Sequence, residues 1–289
     1  MKVIRLDEAE ARPRKVAVGE FDGVHLGHRE VIRDSDTVLT FEPHPLQVIR
    51  PEAAPKLLTS LDRKVELLEG LGVEELVLIE FDRAFAQRSA QEFVDGVLHG
   101  TLQATRVSVG ENFRFGHKAA GDPALLAAQD GFETRVTPLV EIDEEIVSST
   151  LIRHLIQLGD VERANRLLGD PFQLRGTVVE GDRRGRTLGY PTANLVPDEA
   201  LVYPGHGVYA AYANGKPAAV SVGVRPTFGT GRGVLVEAFL IDFQGDLYGT
   251  ELRLDFVRRL RGERAFPTVD ALVEQMGKDV AQAASVTSR

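Results

Sequence analysis

Ten consecutive residues, Gly19-Glu-Phe-Asp-Gly-Val-His-Leu-Gly-His28, combine three glycines with two histidines. Gly19, Gly23 and Gly27 let the backbone come close to a phosphate chain, and the helix that follows attracts negative charge. His25 and His28, three residues apart on one turn, can both donate to phosphate oxygens. Zinc is the weaker reading, because it needs a third ligand. No Gly-x-x-x-x-Gly-Lys-Ser/Thr loop occurs anywhere in the chain. Gly205-His-Gly-Val-Tyr-Ala210 matches a dinucleotide fingerprint, but it follows Pro204 in a β-rich stretch and opens no helix, so it is set aside.

Other segments have the same phosphate-handling character. In Thr40-Phe-Glu-Pro-His-Pro45 two prolines fix an extended turn and aim Glu42 and His44 at one edge. Gly110-Glu-Asn-Phe-Arg-Phe-Gly116 offers Asn112 to a base or ribose, Arg114 to phosphate charge, and Phe113 and Phe115 to an aromatic ring. Val147-Ser-Ser-Thr-Leu-Ile-Arg153 opens a helix with hydroxyl residues that would serve as ordinary caps. Arg153 fits that reading poorly, since a cation is disfavoured in a first turn unless an anion is present. Further on, Thr192 and Asn194 stand behind Pro191 after a basic glycine loop. If extended, they share a face and offer neutral oxygens to a Mg²⁺–phosphate unit. Arg183, Arg184 and Arg186 read equally as a solvated loop. Glu237 lies on an alternating run, opposite Val236 and Ala238. Pointed into a barrel mouth, it is a candidate general base.

Such residues need elements to position them. Apolar runs at residues 15–19, 36–41, 75–79 and 105–109 read as strands, separated by helical patterns at 61–71 and 90–102. That alternation favours a doubly wound parallel sheet with its ligands at the carboxyl ends of the strands. A helix after Ser148 and a short one at 161–168 lead to Gly169-Asp-Pro, the expected boundary between domains 1–169 and 170–289. Beyond it, short β runs at 174–180, 207–213, 218–222, 234–243 and 251–256 suggest a small β-barrel, closed by a helix at 269–282.

Composition narrows the class. The 289 residues carry 34 basic and 43 acidic side chains, a net charge of −9 that argues against neutralising nucleic-acid phosphates as the main task. Residues 1–170 hold 20 basic and 30 acidic side chains, against 14 and 13 in the remainder, so the two parts differ in charge. With no cysteine, a disulfide framework, thiolate zinc, an iron–sulfur cluster and a cysteine nucleophile all drop out. No window approaches the ~18 consecutive apolar residues of a membrane helix. The first ten residues turn acidic before any apolar run, unlike a secretory leader. The expectation is a cytoplasmic protein that handles small molecules, with no nucleic-acid or membrane partner and an oligomeric state left open.

Taken together, these segments resemble the bacterial bifunctional riboflavin kinase/FAD synthetase family across nearly the whole chain. The likeness rests on Gly19–His28, Thr40–Pro45, Gly110–Gly116 and Ser148–Arg153 in the first part. In the second it rests on Gly185-Arg-x-Leu-Gly-x-Pro-Thr-Ala-Asn194, Ser221-Val-Gly-x-x-Pro-Thr-Phe-Gly229, Glu237 and Asp246-Leu-Tyr-Gly249. The resemblance implies a nucleotidyltransferase domain and a kinase barrel, with Mg²⁺ as cofactor and ATP as co-substrate. Riboflavin would become FMN in the barrel, and FMN would become FAD in the first domain with release of pyrophosphate.

By the same resemblance, Glu237 would deprotonate the ribityl hydroxyl while Thr192 and Asn194 hold the metal and nucleotide phosphates. Gly181, Arg183, Gly185 and Gly189 would cover ATP. His25, His28 and Arg153 would serve adenylyl transfer, with Gly19, Phe21, Asp22, Gly23, Gly27, Ser149 and Thr150 around the nucleotide. Flavin contacts would fall at Glu42, His44, Asn112, Arg114, Thr227 and Phe228. Two departures from the family stand out: a shortened connection between Arg29 and Thr37, and Glu20 where asparagine is usual. Competing readings are a nucleotidyltransferase whose barrel only senses flavin, and a flavin-binding protein without turnover.

Overall fold

The computed structural model describes residues 1–180, 190–224 and 234–288. Two compact units divide the chain, Met1–Ser149 and Thr150–Arg289.

In the first unit six strands form one parallel sheet: β1 (Lys2–Arg5), β2 (Arg14–Val18), β3 (Thr37–Glu42), β4 (Glu75–Glu80), β5 (Ala104–Gly110) and β6 (Glu133–Thr137). Their order is β1-β4-β3-β2-β5-β6. From β2 the chain winds outward through β3 and β4, then returns to the other side of β2 as β5. The reversal lies between β2 and β5, where an open sheet of this type leaves a crevice.

Alternation along the strands explains the two layers of helix. Val16, Val18, Leu39, Val77 and Ile79 pack with Phe93, Val94 and Leu98 from the helix that begins as α4 (Ala90–Phe93) and continues in π-helical turns to Thr101. Their neighbours Ala17, Val38 and Leu76 face the other way, onto Val31 and Ile32 of α1 (Leu26–Ile32) and Leu68 of α3 (Leu61–Gly70). Both faces are buried, as the continuous apolar runs require. The sequence reading found the four inner strands and missed β1 and β6. These are the edge strands, and most of their side chains remain accessible, so neither carries a strong apolar signal. Two short helices, α2 (Pro45–Ile49) and α5 (Pro123–Ala127), were also not foreseen, and β7 (Glu141–Ile142) with β8 (Glu145–Ile146) makes a small hairpin. At the amino edge of the sheet a buried ion pair joins Arg14 Nε to Glu75 Oε2 at 2.8 Å. The carboxyl edge is left for chemistry.

The second unit is a closed antiparallel barrel. Helices α6 (Ser149–Leu158) and α7 (Val161–Leu168) precede strands β9 (Phe172–Val179), β10 (Ala193–Pro197), β11 (Gly207–Ala213), β12 (Lys216–Val224), β13 (Val234–Leu240) and β14 (Glu251–Arg261). They close in the order β10-β13-β12-β11-β14-β9. Leu174, Val178, Leu195, Val220, Val236, Leu254 and Phe256 fill the interior on one parity of each strand. Tyr209 joins them, edge-on to Phe256 at 5.4 Å, and its hydroxyl donates to the Gly205 carbonyl. Burial pushes that phenol up to about 12. Asn165 of α7 ties the helix to the barrel by donating to the Phe256 carbonyl at 2.8 Å and accepting from Phe172 N at 2.7 Å. The last helix, α8 (Val269–Thr287), lies on the outer face, where Ala283 meets Ala210 and Ala219.

Gly116 has φ +74°, and a Cβ there would stand 2.5 Å from Ala90 N. Gly116→Ala should therefore cost the first unit about 2 kcal/mol or more. Thermal unfolding should show its transition lowered and the barrel's unmoved.

Candidate functional site

The loop after β2 sits beside the reversal point, and its own side chains hold it. Asp22, which is 4% exposed, turns its carboxylate inward to accept from Leu58 N at 2.9 Å and Thr59 N at 3.2 Å. Thr59 Oγ1 in turn accepts from Gly23 N at 3.1 Å, and Ser149 Oγ donates to the Asp22 carbonyl at 2.9 Å. Asp22 thus braces the loop from behind. Gly19 and Gly27 are explained by close ring packing: a Cβ at 19 would lie 2.9 Å from Phe21 Cζ, and one at 27 would lie 3.2 Å from His25 Cε1. Gly23 has φ +88°.

His25 and His28 come together as expected from their spacing. Their rings stack with centroids 3.5 Å apart, and the ring of Phe21 meets His28 edge-on at 5.3 Å. His25 Nδ1 accepts from His28 N at 3.2 Å, so a neutral His25 carries its proton on Nε2 and is a donor there.

This loop forms one wall of a cavity of about 990 Å³ lined by Gly19, Phe21, His28, Asn112 and Arg114, among others. Six phenylalanines make its apolar wall in a connected series, Phe41, Phe81, Phe85, Phe93, Phe115 and Phe113, with successive centroids 5.4 to 6.4 Å apart. Arg50, Arg83, Arg88, Arg114 and Lys118 also line it, against a single carboxylate among the described residues, Glu20. A basic and aromatic lining in a chain of net charge −9 is suited to an anionic ligand with an apolar ring. Sequence reasoning found Asn112 and Arg114 and missed Arg50, Arg83, Arg88 and Lys118, which lie outside any glycine-rich motif.

Glu20 does not face the phosphate-binding side alone. His44 Nε2 lies 2.5 Å from Glu20 Oε2, and His44 Nδ1 accepts from Leu46 N at 3.1 Å as the cap of α2. His44 and Glu42 are not among the cavity-lining residues. The shortened connection is taken up by α1, two turns long, and a turn at Asp34 with φ 59°. Thr150, which is exposed, and Arg153, half-buried on α6, belong to the second unit.

In the barrel, register brings the expected residues together. Asn194 pairs with Glu237, and Glu237 pairs with Ser221 on its other side, a polar row across three strands. Thr192 Oγ1 is 3.5 Å from Glu237 Oε1. Val236, Ala238 and Leu240 are buried inside, so alternation puts Glu237 on the outer face of the barrel. This is the face opposite Val236 and Ala238, as the alternation in the sequence indicates; the condition that Glu237 point into a barrel mouth is not met, because the interior is filled by apolar side chains. Tyr190 and Phe239 meet edge-on at 5.3 Å nearby, and a Cβ at Gly277 of α8 would lie 3.2 Å from the Tyr190 hydroxyl. Gly181, Arg183, Gly185, Gly189, Thr227 and Phe228 lie outside the described residues.

Two family models match the chain, FAD synthetase over residues 7–151 and riboflavin kinase over residues 168–287. The chain belongs to the bifunctional riboflavin kinase/FMN adenylyltransferase family. Members from Bacillus subtilis and Escherichia coli K12 are 38% and 35% identical to it, covering 93% and 96% of this chain and 90% and 96% of their own. A crystal structure described as a macrolide-efflux protein from Streptococcus pneumoniae has a TM-score of 0.90 and 32% identity, covering 98% of this chain and 99% of its own. Efflux is said of that protein alone. No described helix here is long and apolar enough to cross a membrane. The activity is flavin cofactor biosynthesis by two transferase reactions that use ATP, one making FMN from riboflavin and one making FAD from FMN.

Asp22→Ala leaves the buried Leu58 N–H and the part-buried Thr59 N–H without their acceptor, a cost of about 1–3 kcal/mol for the buried group and less for the other. Urea unfolding should show the first unit destabilised by that order, with FAD formation reduced and FMN formation from riboflavin retained.

Proposed function

We propose that the two reactions are divided between the two parts of the chain, adenylyl transfer in the first and riboflavin phosphorylation in the second. The compact units divide at 149/150, earlier than the 169/170 boundary expected from the sequence, because α7 and all of α6 after Ser149 fall in the second unit. The carrying observation is that the paired imidazoles and the Glu237 row lie in separate compact units, each with its own core. We further propose the cytoplasm as the compartment, where ATP is abundant.

On the barrel's outer face, Glu237 takes the proton of the ribityl 5′-hydroxyl as its oxygen attacks the γ-phosphate of ATP, and ADP leaves. Thr192 and Asn194 supply neutral oxygens beside that carboxylate, a hard donor set that suits Mg²⁺. When bound there, the ion supplies charge neutralisation at the transferred phosphoryl group. Ser221 is the register partner of Glu237 on β12. Tyr190 and Phe239 are suited to the flavin ring.

In the first unit an oxygen of the FMN phosphate attacks the α-phosphate of ATP, and pyrophosphate departs. His25 and His28 donate to the α-phosphate as negative charge grows on it, and Gly19, Gly23 and Gly27 keep the loop close to the phosphate chain. Asn112 and Arg114 bind polar groups of the ligands, and the phenylalanine wall takes an aromatic ring. No covalent enzyme intermediate is required.

Incubation with riboflavin, ATP and Mg²⁺, followed by chromatography over time, should show FMN rising and then giving way to FAD. Glu237→Gln should abolish FMN formation while sparing FAD formation from supplied FMN; equal loss of both rejects the division. His28→Ala should make FMN accumulate, and unchanged FAD output would remove His28 from the reaction. Chelation of divalent ions should stop phosphorylation, read as constant riboflavin.

A further inference from the structure

Lys64 is a buried cation that none of the roles above uses. It is 8% exposed and lies on the face of α3 that carries the buried Leu68. Its Nζ donates to the Glu20 carbonyl at 2.8 Å, an oxygen that also accepts from Thr40 Oγ1 at 3.1 Å. Burial lowers the proton affinity of this ammonium below that of a free lysine, and the carboxylates of Asp22 foremost, then Glu42 and Glu20, oppose that shift.

Burying a lysine is costly, and its long side chain loses much rotamer freedom. A neutral side chain could fill the same volume at less cost. What a neutral side chain cannot do is place a positive charge among the three carboxylates at the carboxyl edge of β2 and β3, next to the loop 19–28, where Glu20 alone has a further partner in His44. Two of these, Glu20 and Asp22, are in that loop, and Glu42 ends β3. Uncompensated, they would repel the triphosphate that must approach it.

We propose that Lys64 is a positioning residue of the adenylyl-transfer site: its ammonium fixes the Glu20 carbonyl and offsets part of the local carboxylate charge, so that loop 19–28 admits ATP. This rests on reading that loop as the adenylyl-transfer loop. Lys64 touches no substrate, so its removal is expected to act on ground-state binding of a polyanion more than on the chemical step.

The test measures FAD formation from supplied FMN and, in the same preparations, FMN formation from riboflavin. In Lys64→Met, KM for ATP in FAD formation should rise about tenfold with kcat changed less than about threefold, and riboflavin phosphorylation should be unaffected. Glu20→Gln alone should lower that KM by about threefold, and adding it to Lys64→Met should recover much of the loss, which a purely structural role for Lys64 would not allow. A folded Lys64→Met with KM for ATP within about twofold of the parent overturns the proposal. Should Lys64→Met not fold, Glu20→Gln still decides, because an unchanged or raised KM there also overturns it. His28→Ala separates the two readings: FAD formation lost in His28→Ala but insensitive to Lys64 and Glu20 charge rejects only this inference.

Discussion

A strand side chain has only two directions available, and in both units the apolar residues take the inward ones. In the parallel sheet both faces are inward, because helices cover each of them, and so chemistry is confined to the strand ends. In the barrel one face is inward and full, so the polar row Asn194, Glu237, Ser221 occupies the outer one. The same period of two therefore puts the candidate site at a strand edge in one unit and on a strand face in the other.

Confinement to a strand end places a demand on the loops there. A glycine-rich loop is free to wander unless something holds it, and the side chains that hold this one reach it from beneath. Asp22 reaches back to the N–H groups of Leu58 and Thr59, Ser149 takes the Asp22 carbonyl, and Thr40 and Lys64 share the Glu20 carbonyl. With those polar groups spent internally, the stacked imidazoles are left in a defined geometry. The loop is ordered by charge and hydrogen bonding where its glycines offer little packing.

Much of this was legible in the sequence. The inner strands β2 to β5 were readable because burial on both faces demands continuous apolar runs, and most barrel strands because turns punctuate them. Residues 25 and 28, and 192, 194 and 237, were readable because their chemistry is unusual for their surroundings. The edge strands were not, since half-exposed strands have no need of an apolar pattern. The cations Arg50, Arg83, Arg88 and Lys118 were not either, because an isolated basic residue in a loop looks the same whether it faces solvent or a cavity. Lys64 left a faint mark, a charge on the helix face that buries Leu68, which the spacing of three and four in α3 tolerated. Glu20 was legible as an anomaly, but its pairing with His44 depends on β2 and β3 being adjacent, a tertiary fact.

The cavity's excess of positive charge has a kinetic side. A basic recess in a chain of net charge −9 focuses the field, so that anions diffusing near the molecule are drawn towards it in preference to the surrounding surface. The field makes no distinction between what arrives and what departs. With adenylyl transfer placed there as proposed, pyrophosphate, the more compact and charge-dense product, would be retained by the same guanidinium groups that favour capture. Throughput is then a compromise between capture and escape, and a still more basic lining would trap the enzyme with its own leaving group.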